Sequence, residues 1–261
     1  MGVDLFAGPL QRYYTRRWET PSGAAARAQG LDFRMTYGKS GTPPLLDARA
    51  AKAEVRDFAT RLQPKLQLRD GPYWNESFEL PYKALRLTHE GLGALVLWTA
   101  HLYRPDLKRP SRLPKDPWRA PAVVQAEQAG YYAGPMAVFE VHMVVPGASE
   151  RIRSEVDPLG REILVTTGTV LRQAIRAVTP SLGLDAKAAV RITEAGPPPS
   201  GLPLLRGGRR WYEASKARWL RAPQPPVPED EVRTLASYAL SCFMVISRFA
   251  TEHAVPIVRD E

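Results

Sequence analysis

A glutamate and a histidine near the middle of the chain are the best candidates for acid–base chemistry. Polarity alternates over residues 137–145, which predicts a β-strand with Glu140 and His142 on the same face. Side chains two positions apart on a strand are separated by about 7 Å, so the pair could serve one substrate as general base and general acid. The alternative is that this face of the strand is solvated, or that one of the two residues pairs with a nearby arginine.

Other polar residues fit a structural role as well as a chemical one. Glu76 and Glu79 lie among aromatic residues and could form a glycosidase-like pair, but they could equally cap a helix or pair with arginines. His89 and His101 lie at opposite ends of a predicted helix, about 18 Å apart, so they cannot share a site without a further residue. The threonine-rich stretch 166–169 precedes a predicted helix and could hold a phosphate there, although ordinary helix capping explains it too.

Motifs that would identify an enzyme are absent from the sequence. It contains no phosphate-binding loop of the GxxxxGK[ST] type, no GxGxxG after a strand, no HExxH, no CxxC and no GxSxG. Four histidines and one cysteine make a zinc site improbable. The cysteine, Cys242, lies in an apolar stretch, where a thiol is inert. The sequence therefore predicts no cofactor and no metal, and favours a protein that is not an enzyme.

Three clusters, at 12–18, 104–119 and 206–221, combine arginines with aromatic rings. Arginine beside stacking rings suits single-stranded nucleic acid, and it suits the centre of a protein interface equally well. The alternative is that the rings belong to the core while the arginines are solvated. The residues predicted to bind a partner are Arg12, Tyr13, Tyr14, Arg16, Arg17, Trp18, Arg109, Arg112, Trp118, Arg119, Arg209, Arg210, Trp211 and Tyr212.

A long apolar helix near the C-terminal end is the element around which the other segments must be arranged. Over residues 229–253, apolar side chains recur at spacings of three and four until most of the circumference is apolar, which predicts a buried helix. Acidic residues at 229–231 suit its first turn. Its apolar run is interrupted at both ends and falls short of the roughly 20 residues that a membrane span needs, so no membrane insertion is predicted.

Helices and strands are mixed along the rest of the chain, which predicts an α+β (or α/β) fold. Further helices are predicted at 20–29, 47–63, 88–103, 122–128, 170–178 and 210–221, and strands at 3–6, 31–37, 137–145, 151–156, 161–166 and 189–193. The hairpin formed by 151–166 favours a mixed or antiparallel sheet, packed against the C-terminal helix and the apolar helix near 88–103.

Residues 1–261 are predicted to form a single compact domain. Proline-rich loops are predicted at 104–121, 196–208 and 222–228, because proline at this density forbids a helix or a central strand. The first of these loops is the weakest point, where the chain could divide into two halves.

The charge balance favours an acidic partner. The net charge is +9, which attracts nucleic acid, a membrane surface or an acidic protein. A GC-rich bacterial genome, which enriches arginine, alanine and proline, would produce the same charge. A single cysteine allows no disulfide within the chain, and the N-terminal residues lack the pattern of a signal peptide, so a cytoplasmic location is predicted.

Together these features predict a non-catalytic, cytoplasmic bacterial binding protein that presents arginine and aromatic surfaces to an acidic protein partner. Immunity proteins that bind and neutralise a toxin have this general profile, an analogy of type and not of sequence. One alternative is a nucleic-acid-binding protein, whose affinity would fall steeply with salt. The other is a hydrolase-like enzyme that uses Glu140 and His142.

Overall fold

The computed structural model shows a six-stranded mixed sheet with helices on both faces, and it describes residues 3–28, 30, 45–66, 74–130, 134–198 and 228–260. The strands are β1 (Asp4–Ala7), β2 (Lys83–Arg86), β3 (Met143–Val145), β4 (Arg153–Val156), β5 (Glu162–Thr167) and β6 (Ile257–Asp260). The helices among the described residues are α1 (Leu10–Tyr14), α2 (Pro21–Ala28), α3 (Ala48–Lys65), α4 (His89–Tyr103), α5 (Pro121–Gln128), α6 (Pro135–Phe139), α7 (Gly168–Leu182), α8 (Ala186–Ala195) and α9 (Glu231–His253). The predicted α+β class with a mixed sheet is confirmed.

The first and last strands of the chain are neighbours in the middle of the sheet. The strand order is β2-β1-β6-β3-β5-β4. β1 is antiparallel to both β2 and β6, β3 is antiparallel to β6 and parallel to β5, and β4 is antiparallel to β5. The β4–β5 pair is the predicted hairpin. The two chain ends are therefore joined by main-chain hydrogen bonds.

Side chains alternate between the two faces of the sheet, and each face packs into a separate hydrophobic core. Leu5 and Ala7 of β1 enter the larger core, which also contains the apolar faces of α4, α7 and α9. Phe6, between them, enters the smaller core with Met143 and Val258, and α1 and α3 cover that side. This follows the period of two along a strand.

α9 is the buried helix that the sequence predicts. Asp230 caps its start by accepting a hydrogen bond from the Arg233 N–H, and Ala254, in the left-handed region, ends it. Contrary to the sequence interpretation, α9 is long and apolar enough to cross a membrane, by length and composition alone. However, 67% of its most apolar window is buried inside the protein, as in the core helix of a soluble protein.

α4 is the second apolar helix, and two glycines let its neighbours approach closely. The Thr88 hydroxyl caps it by accepting a hydrogen bond from the Gly91 N–H at 3.0 Å. A Cβ atom on Gly93 would lie 2.7 Å from Cγ of Pro117, in a 3₁₀ turn at Pro117–Arg119. A Cβ on Gly91 would lie 3.6 Å from Cβ of Ala239 on α9. The glycines thus place α9 and the 3₁₀ turn directly against α4.

The predicted strand at 137–145 is wrong over most of its length. Pro135–Phe139 form helix α6, and only Met143–Val145 form a strand. Gly134 lies at the N-cap and Pro135 at the first helical position, where proline is favoured. All four residues 136–139 are buried, so alternation of polarity gives no guide to their conformation.

Three other sequence predictions differ from the structure. Residues 189–193 belong to helix α8, which the Asp185 side chain caps by accepting a hydrogen bond from the Ala188 N–H at 2.7 Å. α7 continues through Pro180 and ends at Gly183, whose φ is 67°. β2 and β6 were not predicted. The strand predicted at 31–37, the helix at 210–221 and most of the loops at 196–208 and 222–228 lie outside the described residues.

Candidate functional site

The loop at 104–119, between α4 and α5, carries the densest exposed positive charge among the described residues. Its exposed cationic side chains are Lys108, Arg109, Arg112, Lys115 and Arg119. Its two acids, Asp106 and Asp116, are also exposed. Since the loop contains six cations in all and two acids, its net charge is positive.

The first turn of α9 holds the loop in place. The Ser111 carbonyl accepts hydrogen bonds from the N–H groups of Glu231, at 2.8 Å, and Val232, at 3.3 Å. In return, the Leu113 N–H donates to the Glu231 carboxylate at 3.1 Å, and the Leu113 side chain is buried in the larger core. These contacts satisfy donors that a helix start otherwise leaves without partners. The loop therefore has a fixed shape, although it has no strand of its own.

Aromatic rings lie beneath the arginines of the loop. The guanidinium carbon of Arg109 is 3.7 Å from the ring centroid of Trp98, a cation–π contact. Trp98 is buried and donates from Nε1 to the Ser181 hydroxyl at 2.8 Å. Trp118 packs on His89, with ring centroids 4.6 Å apart. The rings thus support the loop from the inside, and the cationic groups point outward.

Acidic partners neutralise only part of the loop. Arg104 pairs with Asp106 at 2.6 Å, and the hydrogen bond from Arg104 lowers the pKa of that carboxyl. Arg119 pairs with Asp116 at 3.3 Å, and Arg109 lies 3.6 Å from Asp230. Lys108 and Lys115 have no acidic partner in the part of the chain that the structure describes. The remaining positive charge is available to a partner.

The cluster at 12–18 has its rings turned inward. Tyr13 and Tyr14 of α1 are only 3% and 2% exposed and belong to the smaller core, where Phe6 lies between Tyr13, at 5.5 Å, and Trp18, at 5.0 Å. Burial and the neighbouring Asp260 carboxylate raise the pKa of Tyr13. Both tyrosine rings of this cluster therefore belong to the core, as the alternative interpretation of the sequence expects.

The arginines of the same cluster mostly bind the protein itself. Arg16 forms a 2.7 Å ion pair with Asp260 on β6. Arg12 donates to the Phe78 carbonyl and lies 5.1 Å from the Tyr82 ring. Arg17 is exposed, 5.5 Å from the Phe78 ring. The predicted binding residues of this cluster thus lie mainly within the fold.

The third cluster cannot be compared with the other two. Arg209, Arg210, Trp211 and Tyr212 lie outside the described residues, so their role stays a prediction. Their segment rejoins the described chain at Pro228, whose carbonyl accepts a hydrogen bond from Arg112 at 3.0 Å.

Glu140 and His142 are not on one strand, and each has a structural partner. Glu140 lies just after α6 and accepts a hydrogen bond from Nε1 of Trp118. Nδ1 of His142 accepts a hydrogen bond from the Leu164 N–H on β5 at 3.1 Å. An Nδ1 atom that accepts a hydrogen bond carries no proton, so a neutral His142 keeps its proton on Nε2. The geometry assumed for a general acid–base pair, two side chains on one strand face, does not occur.

Glu76 anchors α1 to the chain beyond α3. Its carboxylate accepts hydrogen bonds from the N–H groups of Leu10, at 3.0 Å, and Gln11, at 2.9 Å, and from Nε1 of Trp74, at 2.6 Å. Burial raises the pKa of Glu76 to about 7, although these donors oppose the shift. Glu79 is exposed. The glutamates at 76 and 79 thus have different environments, and Glu76 acts as a helix cap.

The hydroxyl groups of the threonine-rich stretch before α7 also form hydrogen bonds within the fold. Thr166 donates to the Arg151 carbonyl at 3.1 Å, Thr167 to the Ser149 carbonyl, and Thr169 to the Gly147 carbonyl at 2.9 Å. Hydroxyls that hold main-chain carbonyls are not directed at an incoming phosphate. Within the described ranges, no three His, Cys, Asp or Glu side chains are grouped so that they could hold a metal ion.

The residues that give the 12–18 cluster and the 104–119 loop their different environments are not predicted from the sequence. Trp98, Asp230 and Glu231 fix the 104–119 loop, and Asp260 draws Tyr13 and Arg16 inward. Trp98 and Glu231 lie on helices that the sequence predicts, and this helical pattern is the one feature of the sequence that points to them. Comparisons with protein-family models, with curated proteins and with solved structures give no significant match, so the functional argument depends on this geometry.

Proposed function

We propose that this protein is a non-catalytic binding protein and that the 104–119 loop is the surface that holds an acidic protein partner. The observation that carries the proposal is the combination of exposed cations with a fixed loop. A loop already ordered before binding loses little conformational entropy when a partner arrives. Arg109 and Arg112 lie on either side of Ser111, the residue whose carbonyl holds α9, and so occupy the best-fixed part of the surface.

A protein partner suits this surface better than single-stranded nucleic acid does. Nucleic-acid binding of that kind needs aromatic faces on which bases can stack. Here the Trp98 ring lies beneath Arg109, and the Trp118 ring is half-buried and packs on His89. Arginine supported by a tryptophan is, in contrast, a frequent centre of binding energy in protein interfaces.

We propose further that the protein is cytoplasmic, bacterial and of the immunity type, which neutralises a toxin by binding it. The support is a sequence without a catalytic motif beside a cationic surface that complements an acidic partner. An adjacent gene whose product arrests growth when expressed alone, and does not when this protein is co-expressed, is the expected result. An adjacent gene of unrelated function, with no protection by this protein, would contradict the immunity type.

The binding surface can be tested by charge reversal. We expect the wild-type protein to retain a stoichiometric partner during mild purification from its own host. The triple variant Arg109→Glu, Arg112→Glu and Arg119→Glu should lose that partner while its unfolding midpoint falls by only about 2–4 °C, as expected of a loss of about 1 kcal/mol in a chain of this size. A matched control reverses three exposed cations of α3, at Arg49, Lys52 and Arg56, and should keep the partner.

Three outcomes would oppose the proposal. Purification without any stoichiometric partner removes the main argument, and equal retention by the two triple variants moves the interface away from the 104–119 loop. Binding of a single-stranded oligonucleotide that weakens steeply between 50 and 200 mM salt, as expected of phosphate contacts, would favour the nucleic-acid alternative instead.

A further inference from the structure

An arginine and two aspartates form a row across the three strands at one end of the sheet. Asp4 on β1 lies directly opposite Arg86 on β2 and directly opposite Asp260 on β6. Residues directly opposite in antiparallel strands point to the same face, with Cβ atoms about 5 Å apart. Two carboxyl groups are thus neighbours where the first and last strands of the chain meet. Like charges in such positions destabilise a strand pair.

Asp260 has strong hydrogen-bond donors of its own. Its Oδ1 accepts from the Tyr13 hydroxyl at 2.6 Å, and its Oδ2 accepts from Nη1 of Arg16 at 2.7 Å. A carboxylate can accept about four hydrogen bonds, so each oxygen keeps one acceptor position. Asp260 therefore already has two hydrogen-bond donors, and each of its oxygens can still accept a hydrogen bond from a proton-bearing neighbour.

Asp4 has the opposite environment. Its Oδ1 is buried and has no hydrogen-bond partner among the described residues. A buried carboxylate oxygen without a donor is costly, whereas a protonated carboxyl can donate to a neighbouring carboxylate. Burial, with Asp260 as a further cause, raises the pKa of Asp4 to about 6, against the opposing effect of Arg86. Arg86 is exposed, and water weakens its attraction.

We propose that Asp4 and Asp260 share one proton at mildly acidic pH, that this proton fastens the first strand of the chain to the last, and that this end of the sheet loosens when the proton is lost. The charged and titratable groups that face the pair formed by Asp4 and Asp260 are Arg86 and Tyr238, beside Asp4, and Tyr13 and Arg16, beside Asp260. Tyr13 and Arg16 are already held by Asp260, and the Tyr238 hydroxyl donates to the Arg86 carbonyl. None of them supplies the donor that a charged Asp4 lacks.

The direction of the effect follows from proton linkage. A carboxyl whose pKa is higher in the folded than in the unfolded protein binds more protons when folded, so stability falls as pH rises between the two values. For Asp4 these are 3.8 and about 6. The unfolding constant of the wild type should therefore rise, relative to that of Asp4→Asn, by up to about a hundredfold between pH 4 and pH 7.

Denaturant unfolding at several pH values tests the proposal. Glu76 contributes the same pH dependence to both proteins, so the difference between them isolates Asp4. Asp106→Asn is a matched control at an exposed aspartate, and its curve should run parallel to that of the wild type over this range. Parallel curves for the wild type and Asp4→Asn would overturn the proposal.

Two measurements on the wild-type protein do not depend on the variant. Carboxyl carbon NMR should show one aspartate titrating near pH 6, and a spectrum in which every aspartate titrates below pH 5 would reject a shared proton. Amide hydrogen exchange, corrected for its intrinsic pH dependence, should show protection of β1 and β6 falling above pH 6 relative to α4. Unchanged relative protection would reject the loosening of the sheet end.

Discussion

Two clusters of similar composition, residues 12–18 and the 104–119 loop, have opposite roles in this fold. In the first, two tyrosine rings lie in the core, and the Tyr13 hydroxyl and the Arg16 guanidinium converge on Asp260. In the second, most of the cationic groups are exposed, and the tryptophan rings lie beneath the loop. Arginine and aromatic content is therefore a poor guide to which surface is presented to a partner.

The position of acidic residues in the sheet accounts for the difference. Cluster 12–18 follows β1 directly, so its side chains pass over the sheet end, where Asp260 and Asp157 accept from the two tyrosine hydroxyls. Buried tyrosines need such partners for their hydroxyl groups. The 104–119 loop joins two helices away from the sheet, its own acids Asp106 and Asp116 are exposed, and the buried Glu231 beside it accepts a hydrogen bond from the Leu113 N–H rather than from a cation of the loop. Cations that are not drawn to buried acids stay in solvent.

The largest expected effect is the loss of a tyrosine ring from cluster 12–18. Tyr13→Ala should lower the free energy of unfolding by about 3–5 kcal/mol, as for other large buried rings. The exposed Arg17 gives a matched control, and Arg17→Ala should change the free energy of unfolding by less than about 0.5 kcal/mol. Denaturant unfolding measures both. If Tyr13→Ala behaved like its control, cluster 12–18 would have to be reassigned to the surface.

A smaller effect concerns the pH dependence of the cap on α1, the helix that carries both tyrosines. The pKa of Glu76 is raised from 4.5 to about 7, so its contribution to stability falls as pH rises between these values, by up to about 3 kcal/mol. Glu76→Gln should remove this part of the pH dependence, as measured by unfolding at pH 5 and pH 8. An equal fall in both proteins would show that another group titrates.

The support beneath the 104–119 loop should be sensitive to one added methyl group. Gly93→Ala would place a Cβ atom 2.7 Å from Pro117, and such overpacking costs about 1–3 kcal/mol. In a Pro117→Ala background the ring atom in the way is absent, so the same change should cost less. A double-mutant cycle in denaturant measures the coupling. Equal costs in the two backgrounds would mean that the loop does not pack tightly on α4.

The smallest effect on stability is expected for the arginines of the loop itself. Arg109→Ala removes a cation–π contact with Trp98 and should cost about 0.5–1 kcal/mol. Arg112→Ala and Arg119→Ala should stay within about 0.5 kcal/mol of the wild type. Calorimetric or denaturant unfolding separates these values. A loss of several kcal/mol for any of the three would assign the loop a structural role like that of cluster 12–18.

Elements whose pattern lies within one stretch of sequence, such as long helices and a hairpin, could be predicted. Elements whose position depends on residues far away in the chain could not. α9 and α4 show their apolar residues at helical spacing, and the β4–β5 hairpin has a turn with its own glycine, Gly160. β6 has only four residues, and its place depends on β1, about 250 positions earlier in the chain. α6 has buried residues on every side, so its local pattern fits a strand as well as a helix.

The candidate site could be predicted only as a choice among clusters. Arg109, Arg112, Trp118 and Arg119 were among the residues predicted to bind, as were Tyr13 and Tyr14, which are in the core. The contact that decides between them, Tyr13 to Asp260, joins residues 247 positions apart. No local pattern contains that information, because it arises from the order of the strands.

Arginine-specific labelling of the native protein with phenylglyoxal, followed by mass spectrometry, tests the contrast between the clusters most directly. The Arg119 side chain is 88% exposed and that of Arg16 is 22% exposed and paired with Asp260. Arg112 and Arg119 should react rapidly in the free protein and be protected in the complex purified from the host, whereas Arg16 should react slowly in both. Rapid labelling of Arg16, or equal labelling of Arg112 and Arg119 with and without the partner, would contradict the assignment of the 104–119 loop as the binding surface.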